Sequence, residues 1–148
     1  MQQYRNVTFE EILKDEEIRA YIENGDRTLD AIGYTEHGFP HAKRSANYAG
    51  NILESLGYDA RLCELARIAG YMHDIGNVVN RAGHAQSGAL MALRILARMG
   101  MPPREAALVA AAIGNHDEGT AHAVSPIAAA LILSDKGDVR RARVRNRE

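Results

Sequence analysis

Only one cysteine, Cys63, occurs among the 148 residues, and there is no tryptophan at all. A lone thiol has no disulfide partner, so the fold must be held by packing, and the chain suits a reducing compartment. Cys63 itself, flanked by Leu62 and Leu65 in an apolar helical stretch, reads as a small core residue. Two phenylalanines and no tryptophan leave little aromatic surface on which to stack a nucleobase, with Tyr34, Tyr48 and Tyr71 as the remaining candidates. Long apolar runs are missing too. A stretch such as Ile127 to Leu133 is too short to span a bilayer, and Met1 to Glu11 is polar with no signal-peptide core, so a soluble cytoplasmic protein is expected. Neither sign of charge dominates. A net charge of -1 gives no reason to expect a general nucleic-acid or membrane binder.

What is present is helix. No interior stretch has linker composition and no repeat is evident, so a single domain over residues 1–148 is expected, with N-terminal helices in 1–33 leading into a core over 37–138. Thr8 followed by Glu11 is a capping-box signature, and Phe9, Ile12, Leu13, Ile18 and Ile22 recur at helical spacing until Gly25, with a break near Asp15. Asp26 is placed to cap a short segment through Ile32. Gly33, Gly38 and Pro40 then interrupt the chain ahead of His41. Ala46, Ala49, Ile52, Leu53 and Leu56 carry one apolar face to a stop at Gly57, and Asp59 caps the helix that follows. Residues 76–83 read as a loop. A helix from His84 to Gly100, another opening on Pro102 and Pro103 and running to Ile113, and a last one opening on Ser125 and Pro126 complete an all-α chain.

Along these helices histidine and aspartate fall in a particular order: His41, the doublet His73 and Asp74, His84, His116 and Asp135. Each lies at or near a helix end or an adjoining loop. Five helices packed side by side can therefore gather them around one cavity, as bundles commonly do for metal sites. Imidazole nitrogen and carboxylate oxygen suit iron, manganese, zinc or cobalt, and a carboxylate can bridge two ions. Any one of these histidines alone would more often be a surface or core group; their joint order favours ligands.

The segments HAKRS around His41, YMHDIGN around the doublet, HAQSGA from His84, GNHDEG around His116 and LSDKGD around Asp135 resemble the ordered motifs of the HD superfamily of metal-dependent phosphohydrolases. The resemblance runs from about His37 to Asp138. It implies an all-helical compact bundle of the HD-domain type. It also implies one ion held by His41, His73, Asp74 and Asp135, with Asp74 bridging to a second ion held by His84 and His116. The branch that hydrolyses cyclic di-GMP carries HDIGK and a downstream HHE with GYP; here Asn77 replaces the lysine, Asn115 precedes His116, and no GYP follows, so that substrate does not carry over. In the same branch a glutamate four positions before the first histidine supplies a further ligand, and His37 stands at that position. His37 is thus either an additional metal or near-metal group or a loop histidine bonded to backbone.

The expected activity is hydrolysis of a small phosphate ester, with a nucleotide among the candidates, by a hydroxide bridging two divalent transition-metal ions. Iron or manganese is favoured, with zinc, cobalt, nickel and magnesium as alternatives. Asp74 is the central catalytic candidate. Asp117 reads as a partner of the ligands, a proton donor to the leaving group or a solvated acid. Lys43, Arg44, Arg81 and Lys136 stand next to ligand positions, each either a phosphate contact or a solvated charge, with Arg81 the leading candidate for substrate phosphate and Lys136 beside it. His122 reads as an ordinary loop residue. Arg140, Arg141, Arg143, Arg145 and Arg147 form a basic tail, read as a solvated helix end. The expected partner is a small phosphorylated molecule rather than a specific nucleic acid or a membrane, and an oligomer is compatible with the chain. Two alternatives stand beside the hydrolase: a di-iron oxygenase of the same superfamily, and a catalytically silent ligand-binding domain.

Overall fold

The computed structural model describes residues 3–117 and 121–138. Among these, the chain forms α-helices and a short 3₁₀ turn, with no strand: α1 (Phe9–Lys14), α2 (Glu16–Ala31), α3 (Phe39–Ser55), α4 (Ala60–Met72), the turn Ile75–Val78, α5 (His84–Met99), α6 (Pro103–Gly114) and α7 (Pro126–Lys136). The expected all-α class is therefore the observed one.

Local chemistry sets most of the helix ends. The Thr8 hydroxyl accepts from the Glu11 amide at 3.2 Å, Asp15 closes α1 and caps α2 through the Ile18 amide at 3.1 Å, Asp59 caps α4 through Leu62, and Ser125 caps α7 through Ala128. Pro40 falls in the first turn of α3, where its missing N–H costs nothing, so that helix starts at Phe39, two residues before His41. Expectations for two stretches of the chain need correction. The first concerns Gly25, which does not end a helix, since α2 runs through it to Ala31. A Cβ on Gly25 would lie 3.2 Å from Asn77 Cβ and 3.3 Å from the Val78 amide, so this glycine is there for close packing against the 3₁₀ turn. Asp26, within the same helix, accepts from the His37 amide at 2.8 Å instead of capping a new one. The second concerns residues 76–83, which are not wholly loop: Ile75, Gly76 and Asn77 are buried in the 3₁₀ turn.

α4 is the central helix, with Leu65, Ile68 and Met72 fully buried among α3, α6 and α7. Burial of each such side chain contributes about 1.5–3 kcal/mol. Helices α3 and α4 form one antiparallel hairpin, turned by residues 56–59, and α5 with α6 forms another, turned by residues 100–102. The first hairpin is unusually tight. A Cβ on Gly70 would come within 2.8 Å of the Ala46 backbone, and α3 presents Ala42, Ala46 and Ala49 to the contact. Hairpin geometry then does the positioning: the start of α3 lies beside the end of α4, and the start of α5 beside the end of α6. Helix α7 packs against α3, α4 and α6 and brings its own C-terminal turn to the same end.

No helix among the described residues is long and apolar enough to cross a membrane.

Candidate metal centre

Each histidine of the ordered set sits where a helix begins or ends. His41 is in the first turn of α3, His73 caps α4, His84 opens α5 and His116 follows α6. The hairpins therefore pair them: the His41 and His73 rings lie 5.1 Å apart between centroids, and those of His84 and His116 lie 5.0 Å apart. Asp74, between α4 and the 3₁₀ turn, stands where the two pairs meet.

The donor atoms converge into two groups, His41, His73, Asp74 and Asp135 on one side and Asp74, His84 and His116 on the other, with the atoms of each group within 4.8 Å of one another. In the first, His41 Nε2 is 3.0 Å from Asp135 Oδ1 and 3.4 Å from Asp74 Oδ2, and His73 Nε2 is 3.1 Å from Asp74 Oδ2 and 3.2 Å from Asp135 Oδ1. In the second, Asp74 presents its other oxygen: Oδ1 is 3.4 Å from His84 Nε2 and 3.8 Å from His116 Nε2. Two donors each about 2.1 Å from a single ion stand roughly 3.0–3.5 Å apart at octahedral or tetrahedral angles. Only the His116 to Asp74 separation exceeds that span.

The hydrogen bonding of the rings makes the same point. His73 Nδ1 lies 2.6 Å from the Gly70 carbonyl, His84 Nδ1 3.0 Å from that of Arg81, and His116 Nδ1 2.5 Å from that of Ile113. A carbonyl can only accept, so each Nδ1 carries the proton and each Nε2 points inward with a lone pair. The inward nitrogens crowd together, at 3.2 Å for His41 with His73 and 3.2 Å for His84 with His116. Asp74 Oδ2 is buried in the middle of them with no hydrogen-bond partner. Such a nest of buried lone pairs is satisfied by a cation or by protons, and its nitrogen and oxygen donors fit a divalent transition metal.

The electrostatics show the protonic alternative. Burial works against charge on His73, but the carboxylates of Asp74 and Asp135 outweigh it and hold its pKa well above the usual 6.5. His41 is raised likewise, with Asp135 and Asp74 overcoming its burial. Burial would raise Asp74 as well, yet His73, His116 and His41 hold its carboxyl well below the ordinary range, and His73 and His41 do the same for Asp135.

A cavity of about 200 Å3 opens onto His84, His116 and Asp135. Its walls hold Thr35, His37, Arg81, Asp117 and Lys136, so the structure brings the candidate phosphate-binding and proton-transfer residues to the same opening. Arg81 is fixed on three sides: its Nη1 donates to Asn77 Oδ1 at 3.1 Å, lies 3.5 Å from Asp74 Oδ1, and its guanidinium sits 5.6 Å from the centre of the Tyr34 ring. His37 lies 5.3 Å from the His41 ring but belongs to neither donor group. Its Nδ1 is 2.7 Å from the Thr35 carbonyl, and burial pushes its pKa down to about 4. Arg44 is directed elsewhere, toward Asp138 and the Tyr48 hydroxyl, and Lys43 is exposed. The basic tail from Arg140 to Arg147 lies outside the described residues.

Sequence reasoning missed two residues at this site. Asn77 is buried and orients Arg81 from one turn before it. Asp138 is buried against His41, with His41 Nδ1 2.8 Å from Asp138 Oδ2. The only sequence signal for Asp138 is its place three residues after Asp135 in LSDKGD.

An all-helical bundle whose helix ends gather residues able to bind metal ions defines the class of protein. The HD domain profile matches residues 38–144, and the chain belongs to the HD domain family, a superfamily of the metal-dependent hydrolase type. An uncharacterized protein of Methanocaldococcus jannaschii, MJ1020, is 27% identical over 103 residues, a match that covers 60% of this chain and 40% of that relative. The chain thus spans well under half the length of the curated relative it matches. No solved structure matches it.

Proposed function

We propose that the protein is a metal-dependent phosphohydrolase acting on a small phosphate ester, with a nucleotide among the candidates. The observation that carries this reading is the cavity of about 200 Å3, which has imidazoles and a carboxylate of both donor groups at its base and Arg81 and Lys136 in its walls. Cationic walls over a metal-binding floor suit a phosphoryl group, whose oxygens accept hydrogen bonds from guanidinium and ammonium donors.

Two divalent ions, with iron or manganese favoured, would be held by His41, His73, Asp74 and Asp135 and by Asp74, His84 and His116; when bound they supply an acidified water and polarise the phosphoryl oxygens. The chain's own residues do the rest. Arg81, braced by Asn77, pairs with non-bridging phosphate oxygens and fixes the ester in the opening. Lys136, in the last turn of α7, adds a second positive charge to the cavity wall. Water adds to phosphorus as the bond to the ester oxygen breaks, and Asp117, in the cavity wall, is placed to hand a proton to the departing alkoxide. A soluble cytoplasmic setting, with a small phosphorylated partner rather than nucleic acid or membrane, agrees with the near-neutral charge of the chain.

The test is to load the protein under strict anaerobiosis with manganese or ferrous iron and present a broad panel of phosphomonoesters, phosphodiesters and nucleotides. Release of phosphate or a nucleoside monophosphate is the expected result. Substrate-dependent oxygen uptake with no phosphoester turnover under any metal would replace the proposal with an oxygenase. Silence in both assays would leave a ligand-binding domain.

A further inference from the structure

Three of the four clustered histidines are anchored in the same way, through Nδ1 to the backbone carbonyl three residues earlier: Gly70 for His73, Arg81 for His84 and Ile113 for His116. His41 is anchored differently. It lies in the first turn of α3, where the carbonyl three residues before it, that of Gly38, accepts the Ala42 amide at 3.0 Å as the first hydrogen bond of the helix. Its Nδ1 instead meets Asp138 Oδ2 at 2.8 Å, across 97 residues of sequence. Both side chains are wholly buried. Arg44, one turn after His41 on α3, directs its Nε toward the other oxygen, Asp138 Oδ1, at 3.6 Å. Asp138 is thereby held between two residues on one face of α3, just beyond the end of the helix that supplies Asp135.

We propose that Asp138 is the positioning residue for His41: its carboxylate accepts the Nδ1 proton, fixes the ring's rotation and tautomer, and aims Nε2 at the group formed with His73, Asp74 and Asp135. An acceptor behind the imidazole holds it in the tautomer whose Nε2 lone pair is free for a metal. This rests on the metal-binding reading of the site and not on the choice of phosphoester as substrate. The competing account is a structural clasp that ties the end of α7 to α3 and has no bearing on ligand strength.

Zinc affinity, measured by competition with a chromophoric chelator, separates the two in the full-length protein and its Asp138→Ala and Asp138→Asn variants. The asparagine oxygen can still accept from Nδ1, so the expected result is a loss of about 10- to 100-fold for alanine and a recovery to within about threefold of the parent for asparagine. The visible absorption of the first bound cobalt should shift in the alanine variant and return in the asparagine one. If the alanine variant does not fold, Asp138→Leu, which keeps the branched four-atom shape and lacks the acceptor, takes its place. Unchanged affinity on losing the acceptor overturns the proposal. So does an asparagine variant that melts like the parent when metal-free yet binds as weakly as alanine, and so does failure of both acceptor-less variants to fold while asparagine behaves normally, which is how a clasp would act. A parent protein that takes up no zinc or cobalt overturns it outright, whereas one that binds them and hydrolyses nothing affects only the functional proposal.

Discussion

His84 and His116 face each other through their Nε2 atoms at 3.2 Å, while their Nδ1 atoms are engaged by the carbonyls of Arg81 and Ile113. Two neutral rings so arranged would oppose lone pair to lone pair. The pair is favourable only with a positive charge shared between them, and His41 with His73 repeats the pattern beside two carboxylates. At His41 and His73 a metal ion would therefore compete with protons for the same atoms.

The pH dependence of stability follows with a definite sign. Histidine pKa values raised by folding contribute stability that is full below about pH 6.5 and is lost as the pH climbs through the raised values of His73 and His41. The depressed values of Asp74 and Asp135 contribute stability that is full above about pH 4 and is lost as the pH falls through them. Metal-free protein should thus be most stable near pH 6.5, because the buried His37, with its pKa down at about 4, costs stability as the pH falls below that, and it should lose Tm toward alkaline pH. Saturating metal, which needs no protons on the rings, should remove the alkaline loss and itself be released on acidification. Thermal melts across pH with chelator and with manganese check this; a metal-free Tm that rose continuously to pH 9 would contradict it.

Asp74 presents one oxygen to each donor group, so Asp74→Ala should empty both and abolish turnover. His84→Ala or His116→Ala should chiefly empty the group farther from Asp135. Elemental analysis of the purified variants reads the outcome, with close to two ions per chain expected for the parent. Full metal content in Asp74→Ala would disprove the shared-carboxylate assignment.

Arg81→Ala removes a braced guanidinium from the cavity wall without touching a helix core. Loss of a charge-assisted hydrogen bond should lower kcat/KM for phosphoesters by about 10- to 100-fold. Arg81→Lys should restore little, because the fork held by Asn77 and Tyr34 is lost. Metal content should stay at the parental level in both; a fall in metal content would make Arg81 part of the metal-binding framework instead.

Gly76 touches the first turn of α5 so closely that a Cβ would lie 2.0 Å from the His84 carbonyl oxygen and 2.7 Å from the Gly88 amide. These are backbone atoms and cannot swing away. Gly76→Ala should cost about 2–3 kcal/mol by overpacking, and it should weaken metal binding by shifting His84. Chemical denaturation and metal titration give the two readings, and an unperturbed variant would show that the turn and α5 separate easily.

Much of this could be read in the sequence because it is written in local signals. Thr8, Asp15, Asp59 and Ser125 are cap residues by chemistry, and each caps a helix. The gathering of His41, the doublet, His84, His116 and Asp135 follows from helix ends joined by short turns. Gly25 misleads because glycine serves both to stop helices and to admit close neighbours, and only the position of Asn77 in space tells which. Asp138 was hidden for another reason: its partner lies 97 residues away, and the two meet only once α3 and the end of α7 have packed together. Likewise, that Asp74 presents its two oxygens to different groups is a matter of side-chain orientation, on which the sequence motif alone is silent.

The two hairpins carry one more implication, concerning how such a unit can be elaborated. Helix α3 has 17 residues and α5 has 16, so each is roughly 25 Å long. The ligands occupy one end of the bundle, and the connections at residues 56–59 and 100–102 turn at the other, a helix length away. Extra sequence grafted at residues 56–59, which are all exposed, whether a longer loop or a whole accessory module, would meet neither the donor atoms nor the cavity. The chemistry and the attachment point sit at opposite poles, which leaves the bundle free to acquire new neighbours without disturbing its site.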